Sequence, residues 1–217
     1  VFIRGANPGD TLEIRVEHIA PVTGYAYILA SPGYGILGDR VASRTKRVAV
    51  DENEVQWDED TTFATRPMIG KLGIAPGGND ESSRASGTFG GAISSTQVGP
   101  GASLYLPVAV AGALLSLEDV HAQMGDGEST SSAVEMAARV RLTCHVHPKN
   151  GWPLPIVVTA DEVITHGQGE TLDLAAGQAS RAMLDLIKER LGVDETEAAM
   201  LVGAVVDLRI SFIGGTP

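Results

Sequence analysis

The sequence predicts an α+β fold: an antiparallel, β-sandwich-rich domain followed by C-terminal helices. Two observations carry this. Leu12 to Ile19 and Val134 to Val146 alternate apolar and polar residues with period two, the mark of half-buried strands. The last quarter shifts to helical periodicity, so strands and helices are segregated along the chain.

The elements follow in order. Val1 to Arg4 is short and β-like, and Asn7-Pro8-Gly9-Asp10 is a turn. In the first clear strand, Leu12, Ile14 and Val16 share one face and Glu13, Arg15 and Glu17 the other. His18 continues the apolar face and is expected to be a core or strand-end histidine. Tyr25 to Ala30 is a strand that runs into the glycine-rich loop Ser31 to Asp39, and Arg47 to Val50 is another. Asp51 to Thr62 is acidic and reads as a surface loop. Pro67 to Ala75 is apolar with two glycines. Pro76 to Gly91 is a long Gly/Ser/Asn/Asp stretch, of a length that is often functional. Leu104 to Val110 is a strand and Gly125 to Ser132 a polar loop. Along Val134 to Val146, the even positions from Val134 to Val146 face one way, and Glu135, Arg139, Arg141, Thr143, His145 and His147 the other. Pro155 to Thr159 is again strand-like.

Thr171 to Leu191 is an amphipathic helix with Leu172, Ala175, Ala176, Ala179, Met183 and Ile187 on one stripe. Gly192 supplies its stop. Asp194 with Glu197 forms a capping box for a second helix to about Val202, and Asp207 to Ile213 returns to strand. Residues 1–150 are read as the β-sandwich-like part and 151–217 as an α/β part packed with it.

Charge and cysteine content narrow the function. The net charge is −11, which repels a phosphate backbone and an anionic membrane. The densest basic stretch, Arg40 to Arg47, is followed at once by Asp51, Glu52 and Glu54. The longest apolar run, Leu104 to Leu117, is broken by Pro107 and Gly112 and falls short of the roughly 20 residues of a membrane span. Cys144 is the one cysteine, so no disulfide can close within the chain, and a cytoplasmic setting is expected. It lies on the apolar face of its strand, as a packing residue rather than a nucleophile. No secretory signal pattern opens the sequence.

Several motifs bear on chemistry. Gly33-Tyr34-Gly35-Ile36-Leu37-Gly38 spells a dinucleotide fingerprint, but no helical stripe follows it, so a plain glycine loop is expected. Phe89 to Ser95 has the look of a serine-amidase loop with Lys71 as the nearest lysine, and is read as a flexible loop. No nucleophile elbow occurs. His145 and His147 share a strand face and could chelate a metal, or form part of an exposed polar face. The richest stretch is Leu117 to Glu128. Four carboxylates and His121 cluster there, and carboxylates so dense repel one another unless a cation or shared proton offsets them. Asp119 and His121 fall on one side of an extended chain, and Gly125 and Gly127 let the backbone turn around Asp126. A metal site or an acid/base site is expected, against a solvated acidic loop.

Pro67-Met68-Ile69-Gly70-Lys71-Leu72-Gly73-Ile74-Ala75-Pro76 resembles the P-x-x-G-x-x-G-x-A-P segment of the acetamidase/formamidase family. Gly99 to Val108, Gly112-Ala113-Leu114-Leu115-Ser116 and Asp119 to Glu128 resemble its following motifs in order. Glu135 falls on a further family glutamate. Gly5 to Asp10, Gly33 to Asp39 and Asp207-Leu208-Arg209-Ile210 match earlier and later parts. The resemblance implies a β-sandwich with an α/β C-terminal part that hydrolyses a small aliphatic amide to carboxylate and ammonia. Their clustering in the stretch that best matches the family makes Asp119 and His121 the expected metal ligands, with Asp126, Glu128 and Glu135 as acid/base groups or further ligands. The expected cofactor is a divalent ion, zinc or calcium first and manganese next. The expected partners are a small amide substrate and a second copy of the chain in a homo-oligomer, with no nucleic acid and no membrane. The chain departs from the pattern where Ala92 and Ser94 replace a usual Asn and Asp and where Glu118 replaces a glycine. The family's N-terminal section has no counterpart, and Val1 begins partway through the pattern. These departures leave a second expectation open, a family member without catalysis that serves as a binding or assembly subunit.

Overall fold

A computed structural model describes residues 1–78, 80–148, 152 and 155–213. Its strands are β1 (Thr11–Pro21), β2 (Tyr25–Ala30), β3 (Arg44–Val50), β4 (Glu54–Gln56), β5 (Thr62–Ala64), β6 (Met68–Gly73), β7 (Ser86–Gly87) and β8 (Gly90–Gly91). After these come β9 (Ser103–Pro107), β10 (Ser116–Gln123), β11 (Val134–Glu135), β12 (Ala138–His147), β13 (Ile156–Val158) and β14 (Val163–Thr165). Helices α1 (Leu172–Leu191) and α2 (Glu195–Val205) close the chain.

The strands form two antiparallel sheets. One has the order β12-β1-β9-β13-β14, the other β5-β4-β3-β2-β11-β10-β6-β8-β7. Leu12, Ile14, Val16, Leu104, Leu106 and Val157 of the first sheet share one apolar cluster with Ala26, Val48, Val55, Ile69, Leu72 and Ala122 of the second. This is the packing of two half-apolar sheets face to face. The α+β, sandwich-rich architecture expected from the sequence is the one observed.

The alternating run from Val134 to Val146 is not one strand. β11 pairs with β10 and β2 in the nine-stranded sheet, whereas β12 pairs with β1 in the five-stranded sheet. The run therefore crosses between sheets at residues 136–137 while its apolar face stays toward the core. Period two reports which way a side chain faces and is blind to which neighbour the backbone bonds.

His18 is exposed, contrary to the apolar-face reading. Val16 lies opposite Leu142 but His18 opposite Arg141, so β1 carries an extra residue, a bulge. The bulge turns His18 outward and brings Ile19 into the core at 3% exposure. Two other expectations fail locally. Leu172 is exposed, and residues 207–211 form no strand, with only an isolated bridge pairing Phe212 with Gly127. The 33–38 glycines form turns with positive φ at Gly33 and Gly35 and no following helix.

Both helices are capped as their sequences dictate. Thr171 accepts from Leu174 N and Asp194 from Glu197 N, each worth about 1 kcal/mol. Gly192 takes the left-handed conformation at φ 68. Helix α1 lies against the edge of the five-stranded sheet, where Thr165 Oγ1 donates to Ala179 O at 2.9 Å. The contact depends on Gly167. A Cβ there would stand 2.1 Å from Ala175 O and 2.5 Å from Ala179 N, both backbone atoms of the helix. Gly167→Ala should therefore push α1 off the sheet and cost about 2 kcal/mol in thermal or chemical unfolding. An unchanged midpoint would show that the helix yields freely.

His166, beside this contact, is partly exposed as a residue, but both ring nitrogens are buried without a hydrogen-bond partner. Burial pushes its pKa down to about 4. The unfolded ring protonates near 6.5, so below that pH the unfolded state takes up a proton the folded state refuses. Stability should be complete above about pH 6.5 and fall by up to about 3 kcal/mol as the pH drops toward 4. His166→Leu should flatten that difference in urea melts across this window.

Candidate active site

The site is built on β10, between β6 and β11. His121 lies opposite Met68 of β6 and opposite Glu135 of β11. Ala122 belongs to the main core and Val120 packs against it. By alternation, Asp119 and His121 face away from that core, beside the small cluster of Met68, Met124 and Ala133.

Asp119 sits at φ 65, a conformation aspartate tolerates better than most residues. It is half-buried, and its carboxylate divides its contacts. Oδ1 lies 3.5 Å from His121 Nε2, and Oδ2 lies 3.6 Å from Lys71 Nζ. Lys71 also pairs with Glu118 at 3.3 Å, its register partner across the sheet. Gly70 makes room for this arrangement. A Cβ there would stand 2.9 Å from Asp119 Oδ2 and 3.2 Å from His121 Cε1.

His121 is wholly buried. No directed hydrogen bond reaches either ring nitrogen, but Nε2 is in ionic contact with Glu135 Oε2 at 3.1 Å. Burial works against the charged ring. Asp119 and Glu135 overcome it and push its pKa up to about 9. Reciprocally, the contact with His121 holds Asp119 below the usual carboxylate range against the cost of its own burial, with Lys71 adding to the effect. Glu128 behaves in the opposite way. Burial raises its pKa, and the negative charges of Asp119 and Glu135 reinforce this, while His121 and a hydrogen bond with Ser94 moderate it.

The structure thus gathers Asp119, His121 and Glu135, whose ligand atoms all lie within 4.8 Å of one another. Glu128 feels their charges. Asp126 stands outside the trio: it is exposed, and Thr96 Oγ1 donates to its Oδ1 at 2.6 Å. Its loop is tied to the C-terminal segment, because Gly127 N donates to Ser211 O at 3.1 Å and Ile213 N to Gly127 O at 2.8 Å. Three contributors were not assigned a place in this site by the sequence reading. Lys71 and Gly70 owe their place to the register of β6 on β10, which no local pattern encodes. Ser94 appeared as a lost aspartate. It is instead a buried residue at φ 43 that donates its amide to Gly70 O and bonds Glu128 through its side chain.

The donor set suits a divalent ion. Two carboxylate oxygens and an imidazole nitrogen converge, and the buried ring nitrogens lack other partners.

The sequence profile of the Acetamidase/Formamidase family matches residues 82–217. Among solved structures, the fold superposes on acetamidase from Bacillus halodurans with a TM-score of 0.94 and 36% identity, covering 98% of this chain and 72% of that one. A recombinant predicted acetamidase/formamidase from Thermoanaerobacter tengcongensis gives a TM-score of 0.88 and 33% identity, covering 93% and 67%. Acetamidase from Yersinia enterocolitica gives 0.87 and 25%, covering 93% and 64%. Comparison with curated protein sequences gives no match. The profile match, spanning more than half the chain, and the likeness to the Bacillus enzyme show that the chain belongs to the acetamidase/formamidase family of amidohydrolases.

Proposed function

We propose that the chain hydrolyses a small aliphatic amide of the formamide or acetamide type to carboxylate and ammonia, assisted by a divalent metal at Asp119, His121 and Glu135. The observation that carries this is the buried His121 Nε2 held between two carboxylates, 3.5 Å from Asp119 Oδ1 and 3.1 Å from Glu135 Oε2. A divalent ion bound there would supply Lewis acidity to the amide carbonyl and to water. Zinc fits the mixed N/O set best, with manganese or calcium as alternatives.

The protein's own groups divide the remaining work. Asp119 and Glu135 offer ligand oxygens, and Lys71 keeps Asp119 ionised and turned. Glu128, whose carboxyl holds its proton to a higher pH than usual, is suited to protonating the departing nitrogen. Asp126, exposed on the neighbouring loop, is a reserve acid/base group rather than a ligand. The chain is read as one unit, with residues 151–217 packed on residues 1–150, since β13 extends the sheet that β1 and β9 begin. A cytoplasmic homo-oligomer is the setting we favour. The lone Cys144 supports the compartment, and no described helix is long and apolar enough to cross a membrane.

Metal dependence is the first test. Exhaustive chelation should lower both the melting temperature and ammonia release from formamide or acetamide, and readdition of zinc should restore both. In His121→Ala, turnover should no longer respond to chelator or to added zinc. Turnover indifferent to chelation would leave the trio as acid/base groups only.

Glu128 is the second. Glu128→Gln should reduce turnover about 10²-fold or more, the scale of a lost general acid. As a proton donor, Glu128 serves only below its folded pKa, so activity should fall as the pH rises through that value. Ser94→Ala removes a hydrogen bond that favours the ionised form, and should shift this descending limb upward in pH. A limb that stays in place in Ser94→Ala would assign it to another group.

A further inference from the structure

We infer that Glu13, His145 and His147 form a second divalent-metal site, on the outer face of the five-stranded sheet, selective for imidazole-binding transition metals such as zinc. The two histidines are two residues apart on β12 and so project to the same side. Glu13 of β1 lies directly opposite His145 in the register. The Glu13 Oε2 to His147 Nε2 distance is 2.8 Å. Around one tetrahedral ion these atoms would stand about 3.3 Å apart, a few tenths of an ångström more. The two imidazole ring centroids are 6.5 Å apart. Rings sharing one zinc at about 2.0–2.1 Å hold their centroids about 5–6 Å apart, so the exposed His145 must turn toward Glu13 and His147 to complete the set.

The surroundings favour a built site over a chance pair. Ser103 Oγ donates to Glu13 Oε1 at 2.9 Å, and the Tyr105 side chain also bonds Glu13, so the carboxylate is fixed from the neighbouring strand β9. The Tyr105 ring lies 6.3 Å from that of His147. Supporting hydrogen bonds of this kind orient ligands and tune affinity. Arg15, which follows Glu13 on the same face of β1, is paired with Glu17 at 3.4 Å. Strand β12 is an edge strand of its sheet, so an ion bridging it to β1 would staple that edge.

Zinc titration followed by calorimetry, with cobalt absorption as a ligand-field readout, tests this apart from the active site. The wild-type protein should bind two equivalents. His145→Ala and His147→Ala should each lose one equivalent while keeping amide turnover, and His121→Ala should lose the other. Glu13→Gln should weaken the second equivalent about 10- to 100-fold. Zinc should also raise the melting temperature of His121→Ala but not of the double variant with His147→Ala. A single equivalent in the wild type, lost only with His121→Ala, would overturn the second site and leave the active-site reading intact. A second equivalent untouched by all three substitutions would place the ion on other surface groups and overturn the proposal equally. A wild-type equivalent lost with His147→Ala but not with His121→Ala would uphold it while removing the active-site metal.

Discussion

Much of the structure around β10 is arranged by one constraint: a wholly buried imidazole whose Nε2 faces two carboxylates. Burying a charge is costly unless it is paired, and the attraction of Asp119 and Glu135 is what raises the ring's proton affinity rather than lowering it. The pairing makes geometric demands. Glu135 must come from the strand directly opposite, which β11 supplies through its register with His121. Asp119 must leave regular strand geometry to reach Nε2, and it does so at φ 65. Gly70 must lack a side chain so that both groups fit against β6. Three strands therefore meet at one ring, and the cost of burying it is offset by groups that also form a donor set for an ion.

Charge is balanced outward from that ring in layers. Lys71 answers the excess carboxylate of Asp119 and Glu118 on the solvent side. Glu128 lies where it feels both His121 and the carboxylates, and burial tips it toward the protonated form. The carboxylates around this ring thus differ by environment: Asp119 is held ionised beside His121 and Lys71, and Glu128 keeps its proton to a higher pH than usual. That division is what acid/base work on an amide requires, because the carbonyl must be attacked and the nitrogen protonated in the same site.

The legible part of the fold was its periodicity. Alternation in Leu12 to Val16 and in Val134 to Val146 fixed which residues enter the core, and the capping residues Thr171, Asp194 and Gly192 fixed the helices within a few residues. Pairing was less legible. The bulge that turns His18 outward adds one residue without breaking the polar pattern, and the switch of sheets at residues 136–137 leaves no mark on alternation. In the candidate site, Asp119, His121 and Glu128 are visible because acidic residues and a histidine crowd a short stretch, and Glu135 through the family resemblance. Lys71, Gly70 and Ser94 were not assigned to it, since they reach the site through cross-strand register and a backbone turn. Register is a property of two segments distant in sequence, and neither encodes it alone.

The crossing of the run 134–147 between sheets explains how one polar face serves two places. Both β11 and β12 keep their apolar residues inward, so their polar residues face outward on both sides of the crossing. Because β11 belongs to the nine-stranded sheet, Glu135 is delivered to the outer face where His121 lies. Because β12 belongs to the five-stranded sheet, His145 and His147 are delivered to the opposite outer face, above Glu13. Had the run continued in one sheet, as alternation alone suggests, these residues would line a single surface and their charges would act together. Separation by the full thickness of the sandwich lets each histidine answer to its own carboxylates: His121 to Asp119 and Glu135, and His147 to Glu13. The same two-residue period that builds the core therefore also supplies two independent polar sites, and a local change of strand partner between Glu135 and Ala138 keeps them apart.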